Sequence, residues 1–319
     1  VTWSALISGY AQQGKFHEAL DCFQRMQVEG ITPNEITFTC ILKACGNTGA
    51  IDKGKQIHED IVNRGLLKNS IVLGTALVDM YAKCGVLAKA QKVLEDLPSR
   101  DIVSWSALIA GYVQEGRGHD ALNCFGQMQS EGLCPNEVTF ICILKACGSI
   151  RSADKSKQIH EEIQRRGLLE KSIELGNALV DMYAKCGMLT TARQVLEELP
   201  VRNVVSWNAL IAGCVQHEQG HEALNCYERM QREGIFGDEV TFICILKTCG
   251  NIGTPDIGKQ IHEEVMHSGF LKKNIVLGTA LVDMYAKCGM LAKAAHVLEG
   301  LPARDTVSWN ALIAGYTHE

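Results

Sequence analysis

Four polar side chains vary where everything around them repeats. Ser4, Ser106, Asn208 and Asn310 each follow a tryptophan in a stretch such as Ile102-Val-Ser-Trp-Ser-Ala-Leu-Ile-Ala-Gly-Tyr112, and the marker tryptophans Trp3, Trp105, Trp207 and Trp309 stand 102 residues apart. A serine hydroxyl donates or accepts through one oxygen, whereas an asparagine amide offers an acceptor oxygen and a separate donor nitrogen. Exchanging one for the other changes which polar edge of a ligand is matched and leaves the packing residues alone. Ser and Asn near the start of a helix are also ordinary caps. A cap has no reason to change while its surroundings stay fixed, so the exchange points to recognition.

An array must position these residues. So strict a period makes the chain a repeat protein with one continuous core, where its length alone would suggest about two ordinary domains. Each period divides into helical hairpins of 35, 36 and 31 residues, most clearly 102–136, 137–172 and 173–203. In the first, Trp105, Leu108, Ile109 and Tyr112 follow the i, i+3, i+4, i+7 spacing of one helix face, with Ser104 as the expected N-cap. Gly116 and Gly118 break the pattern, Ala121, Leu122, Phe125 and Met128 resume it, and Gly132 and Pro135 stop it. Phe140, Ile143 and Leu144, then Ile159 and Ile163, repeat the logic in the second hairpin. Leu179, Val180, Met182 and Tyr183, then Ala192, Val195 and Leu196, repeat it in the third, which closes at Pro200. No β-type alternation competes, and the spacing predicts an all-α solenoid.

Twelve of the fourteen cysteines fall in register with the repeat: Cys22, Cys124 and Cys226; Cys40, Cys142 and Cys244; Cys45, Cys147 and Cys249; Cys84, Cys186 and Cys288. Cys214 stands where the sister copies carry Tyr10, Tyr112 and Tyr316. Without a C-x-x-C spacing, these read as reduced, core-filling thiols in a reducing compartment rather than zinc ligands. No run approaches the ~18 apolar residues of a bilayer span, so no membrane partner is expected. The sequence begins without Met and inside a repeat, and neither end carries a polar cap, so it is expected to be a piece of something longer. A net charge of -5 weighs against nucleic acid unless positive charge is concentrated locally.

Across the whole chain the hairpins resemble pentatricopeptide repeats of the PLS subclass, in which P, L and S motifs alternate. Val204-Val-Ser-Trp-Asn-Ala-Leu-Ile-Ala-Gly213, followed by Glu222-Ala-Leu224 and ending near Gly234, is similar to the P motif. Glu239-Val-Thr-Phe242 with Ile245-Leu-Lys-Thr-Cys249 and Gly258-Lys-Gln-Ile-His262 is similar to the L motif. Gly176-Asn-Ala-Leu-Val-Asp-Met-Tyr-Ala-Lys-Cys-Gly187, ending Leu199-Pro-Val-Arg-Asn203, is similar to the S motif. The resemblance assigns 1–34, 102–136 and 204–238 as P, 35–70, 137–172 and 239–274 as L, 71–101, 173–203 and 275–305 as S, and 306–319 as a partial P. It implies one array folded as a right-handed superhelical solenoid of helix-turn-helix hairpins. It also implies binding of single-stranded RNA in a plant chloroplast or mitochondrion, mostly to select cytidines for C-to-U editing.

In this family each repeat reads one base with two side chains, the fifth and the last of the motif. The implied pairs are Ser4 with Asn34, Thr75 with Asp101, Ser106 with Asn136, Asn177 with Asn203, Asn208 with Asp238, and Thr279 with Asp305, with Asn310 opening another. Uracil and guanine present an imino N–H, which an aspartate accepts; cytosine and adenine present a ring-nitrogen acceptor, to which an asparagine amide donates. The family pairs a Ser or Thr fifth residue with purines and Asn with pyrimidines. The L motifs depart from the pattern, with Thr39, Ile141 and Ile243 fifth and Ser70, Ser172 and Asn274 last, and stay unread. The implied target is 5′-A-n-G-A-n-C-U-n-G-3′. The resemblance also implies apolar wedges between bases at Val1, Val72, Val103, Val205 and Val276, a register that Glu174 breaks, and phosphate contacts at Lys83, Lys185 and Lys287. Those lysines follow Asp79, Asp181 and Asp283 by four residues, so a helical ion pair explains them equally well.

The editing deaminase of this subclass needs H-x-E and P-C-x-x-C for its zinc. His160-Glu161-Glu162 and His262-Glu263-Glu264 satisfy the first, the equivalent His58-Glu59-Asp60 does not, and the second is missing. His262 and His267 also miss the spacing of H-E-x-x-H. No catalytic residue, metal ligand or cofactor is therefore expected in this chain, and any deaminase would come from a further C-terminal domain or a partner. An editing cofactor protein docking on the L motifs is compatible with the apolar Ile141 and Ile243. The competing function is a tetratricopeptide-like protein-binding scaffold, which shares the spacing of Trp3, Leu6, Tyr10, Ala19 and Phe23. Acidic charge favours the scaffold; unit lengths and varied end residues favour RNA.

Overall fold

The computed structural model describes residues 2–68, 70–272 and 274–318, so Val1 lies outside the described residues. Among the described residues all regular structure is helical, and the helices gather into two compact units, 1–150 and 151–319. The first holds α1 (Thr2–Gln12), α2 (Phe16–Val28), α3 (Glu35–Thr48), α4 (Ile51–Asn63), α5 (Ile71–Lys83), α6 (Leu87–Asp96), α7 (Ile102–Gln114), α8 (Gly118–Ser130) and α9 (Glu137–Ile150). In it α1, α3, α5, α7 and α9 contact one another in succession, while α2, α4, α6 and α8 each bridge two of them from a second layer. The second unit holds α10 (Ala153–Arg165), α11 (Ile173–Lys185), α12 (Leu189–Glu198), α13 (Val204–Gln216), α14 (Gly220–Arg232), α15 (Glu239–Ile252), α16 (Pro255–Ser268), α17 (Ile275–Lys287), α18 (Leu291–Gly300) and α19 (Thr306–His318). There α11, α13, α15, α17 and α19 form the succession, α12, α14, α16 and α18 bridge them, and α10 packs on α11.

The apolar stripes fill the space between the two layers. Trp105, Leu108, Ile109 and Tyr112 of α7 are buried, as are Ala121, Phe125 and Met128 of α8. Each such Leu, Ile or Phe contributes about 1.5–3 kcal/mol by leaving water. Ser104 is not the N-cap of α7. The helix starts at Ile102, Asp101 caps it, and Ser104 completes a reciprocal capping box from the third position. Gly116 ends the helix at φ 69°, a conformation that a Cβ disfavours. Gly118 instead opens α8, where a Cβ would lie 2.6 Å from Ile150 Cγ2.

All fourteen cysteines are free thiols. Cys22, Cys45, Cys124, Cys147, Cys214, Cys226 and Cys249 are buried, and burial pushes the Cys45 and Cys124 thiols up to about 12. They act as small apolar side chains. None of the described helices is long and apolar enough to cross a membrane.

Small residues let successive first helices approach closely. A Cβ on Gly213 of α13 would sit 2.5 Å from Ala184 Cβ and 3.1 Å from Ala184 Cα on α11. Gly213→Ala should therefore cost about 1–3 kcal/mol by overpacking, outweighing the ~1 kcal/mol that alanine gains in helix propensity. Gly126→Ala on α8, where a Cβ meets nothing within 4 Å, should instead be stabilising by about 1 kcal/mol. Denaturant melts of the two variants should move in opposite directions.

Candidate functional site

The last residue of each motif caps the following helix. Asn34 Oδ1 accepts from the Thr37 N–H at 2.9 Å, Asp101 from Ser104 at 2.8 Å, Asn136 from Thr139 at 2.9 Å. In the second unit Asn203 accepts from Ser206 at 2.9 Å, Asp238 from Thr241 at 2.9 Å, and Asp305 from Ser308 at 2.8 Å. The everyday role as a cap is therefore real, and it fixes a polarity. A cap uses a side-chain oxygen, so an asparagine is left with its donor nitrogen and an aspartate with a second acceptor oxygen. Acceptance of the Ser308 N–H holds the Asp305 carboxyl below its usual range, keeping it an anionic acceptor.

In four of the six P and S pairs the fifth and last residues are brought together, directly or through one threonine. Asn208 Nδ2 donates to Asp238 Oδ1 at 2.8 Å, and Thr75 Oγ1 donates to Asp101 Oδ1 at 3.5 Å. Ser4 reaches Thr37 at 2.9 Å and Ser106 reaches Thr139 at 2.7 Å, and each threonine hydroxyl donates to Asn34 or Asn136 at 2.8 Å. Thr241 ties the third arrangement, donating to Asn208 Oδ1 at 2.6 Å. Thr37, Thr139 and Thr241 were not singled out in the sequence, although their spacing of three from Asn34, Asn136 and Asp238 is a capping signature. Asn177 Oδ1 and Thr279 Oγ1 are buried with no hydrogen-bond partner, and neither joins Asn203 or Asp305. Asn310 is exposed.

The apolar second residues stand in solvent. Val72, Val103, Val205 and Val276 are each more than half exposed, and so are Ile36, Val138, Val240 and Val307, which the sequence reading left out. The signal was the register itself, since each is the second residue of its motif. Glu174 is the exposed exception. In the first unit an open pocket of about 440 Å³ has Val72 and Val103 on its walls with Thr75, Asp101, Thr39 and Lys43. In the second unit one of about 430 Å³ has Val276 and Val307 with Thr279, Asn310, Ile243 and Lys247. Apolar walls flanking a polar fifth residue suit a flat ring with a polar edge.

Lys83, Lys185 and Lys287 pair with Asp79, Asp181 and Asp283 at 2.8, 2.7 and 2.8 Å. Such exposed helical pairs contribute only about 0.3–0.5 kcal/mol, little enough to be exchanged for a phosphate. The L-motif last residues differ from their P and S counterparts. Ser70 donates to Glu35, and Asn274 Nδ2 donates to Glu239 at 2.8 Å. The H-x-E histidines His160 and His262, like their counterpart His58, are packing residues: the Nδ1 atoms of His58, His160 and His262 lie 2.9, 3.0 and 3.0 Å from the hydroxyls of Tyr81, Tyr183 and Tyr285.

Stacked two-helix hairpins, several of which bring a polar fifth residue to the cap of the next hairpin, define a helical-repeat protein. The PPR repeat family matches residues 1–47, 100–149 and 202–251, and the PPR repeat matches 36–66 and 177–204. The chain belongs to the pentatricopeptide repeat family. It is 37% identical over 316 residues to the pentatricopeptide repeat-containing protein At4g18520, chloroplastic, of Arabidopsis thaliana, covering 99% of this chain and 51% of that protein. It is 36% identical over 316 residues to the pentatricopeptide repeat-containing protein At1g11290, chloroplastic, of the same plant, covering 99% of this chain and 39% of that protein. The chain thus spans about half or less of the length of these relatives. The crystal structure of PPR10 in complex with an 18-nt psaJ RNA element, a protein also solved from maize, superposes with a TM-score of 0.80 at 20% identity, over 99% of this chain and 48% of that one. That likeness establishes the fold.

Burial lowers the pKa of His58, His160 and His262. Above about pH 6.5 folded and unfolded chains are both neutral at these sites, so nothing is lost. As pH falls through 6.5 the unfolded chain takes up protons that the folded one resists, and stability declines until the folded pKa values are passed. The melting midpoint should fall between pH 7 and pH 5, and replacing the three histidines with glutamine should flatten that fall. An unchanged pH dependence would contradict the burial argument.

Proposed function

We propose that this chain binds single-stranded RNA base by base, with 5′-A-n-G-A-n-C-U-n-G-3′ as its preferred sequence. The observation that carries the proposal is the paired geometry of Asn208 and Asp238: 2.8 Å apart, joined by Thr241, and fixed so that Asp238 retains a free acceptor oxygen. An acceptor there suits the imino N–H of uracil, and Asn208 favours the smaller ring. The same cap polarity gives Asn34 and Asn136 a donor for adenine, Asn203 a donor for cytosine, and Asp101 and Asp305 an acceptor for guanine. Exposed valines on neighbouring first helices supply the faces on which bases stack.

The P, L and S alternation of the sequence supports the PLS subclass and, with it, a role in selecting a cytidine for C-to-U editing. The reaction itself would come from a deaminase outside this chain, with an editing cofactor protein seated on the L motifs. Relatives named chloroplastic and mitochondrial support an organellar location.

The test is a swap of specificity. Asn208→Thr with Asp238 kept should move the preference at that repeat from U to G by roughly tenfold, read as relative affinity for two labelled oligomers differing only there. Equal preference in both proteins would leave Asn208 a mere partner of the cap.

A further inference from the structure

Each nucleotide brings one negative charge to a chain whose own net charge is -5, so the strand must be met by cations inside the groove. The pocket of the first unit contains two carboxylates, Asp79 and Asp101, and one lysine, Lys43. Asp79 is already held by Lys83, whose stem lies against α3: a Cβ on Gly46 would meet Lys83 Cδ at 3.3 Å. Lys43 is exposed and takes part in no ion pair among the described residues. The second unit repeats this arrangement. Lys247 lines its pocket, Asp283 is held by Lys287, and the Lys287 stem lies against Gly250 with its Cδ 3.2 Å from where a Cβ would be. Lys145 has the same place on α9, exposed and likewise unpaired.

Helical spacing explains why Lys43 and Lys247 face their pockets and gives Lys145 the equivalent register. Lys43, Lys145 and Lys247 follow Thr39, Ile141 and Ile243 by four residues, which puts each on the same helix face as the fifth residue of its L motif, one turn on. We propose that Lys43, Lys145 and Lys247 are phosphate-binding residues of the RNA groove. The L motifs, whose isoleucines form no hydrogen bond with a base and whose last residues Ser70 and Asn274 are tied to Glu35 and Glu239, then hold the strand while the P and S motifs read it. This inference rests on the RNA reading above.

The experiment measures binding of a 5′-labelled 5′-A-n-G-A-n-C-U-n-G-3′ oligomer, uridine at each n, across a salt series, beside a scrambled oligomer. The protein carrying Lys43→Gln, Lys145→Gln and Lys247→Gln together should lose about 2 from the slope of log affinity against log salt. It should weaken for both oligomers by the same factor, because phosphate contacts carry no sequence information. The three Lys→Arg changes should restore the slope, and single Lys→Gln variants should each remove about a third of the loss. A charge-matched control, Lys55→Gln, Lys92→Gln and Lys157→Gln on α4, α6 and α10, should leave the slope near that of the unaltered protein. An unchanged slope in the triple L-motif variant, with the unaltered protein still preferring its target, would overturn the lysine assignment and leave base reading intact. No binding by the unaltered protein would remove both.

Discussion

The spacing between successive first helices governs everything that the groove presents. Small residues set it: Gly111 against Ala82 in the first unit, Gly213 against Ala184 and Gly315 against Ala286 in the second, each with no room for a Cβ. Helices held this close bring one exposed valine after another along the same edge, with a polar fifth residue between them. The core that supports them is ordinary, built of Trp, Leu, Ile, Phe and Met packed between two layers. Within each unit, it is the close step from one first helix to the next that sets the distance between neighbouring exposed valines.

The caps make the proposed recognition compatible with stability in one and the same residue. A helix N-terminus needs a side-chain acceptor for its third N–H, and Asn and Asp both provide it. Because that bond consumes an oxygen, the two residues then differ only in what remains, a donor nitrogen or an acceptor oxygen. The exchange of Asn34 and Asn136 for Asp238 therefore leaves the fold unchanged and reverses the polarity offered to a ligand. Capping and the proposed reading do not compete in this geometry: the cap bond fixes which atom the side chain has left to offer.

Much of this was legible in the sequence because the array prints the same answer several times. The 102-residue register located the hairpins, and the 3.6-residue stripes of Trp105 to Tyr112 and Ala121 to Met128 located the buried faces. The Ser104 cap was misplaced because serine is a good cap wherever it stands, and the backbone puts the cap three residues earlier, at Asp101. Thr37, Thr139 and Thr241 escaped notice because their hydroxyls matter through contacts some 33 residues away. The lysines illustrate a third limit. Sequence spacing shows that Lys83 has an aspartate one turn before it, but not that Lys43 lines an open pocket without a carboxylate partner.

The most direct measurement of the central claim is selection from a randomised pool of nine-nucleotide RNAs by this chain, followed by sequencing of the bound fraction. The account predicts enrichment of A, G, A, C, U and G at positions one, three, four, six, seven and nine, with positions two, five and eight free. A bound pool indistinguishable from the input, or enriched for an unrelated order of bases, would contradict it.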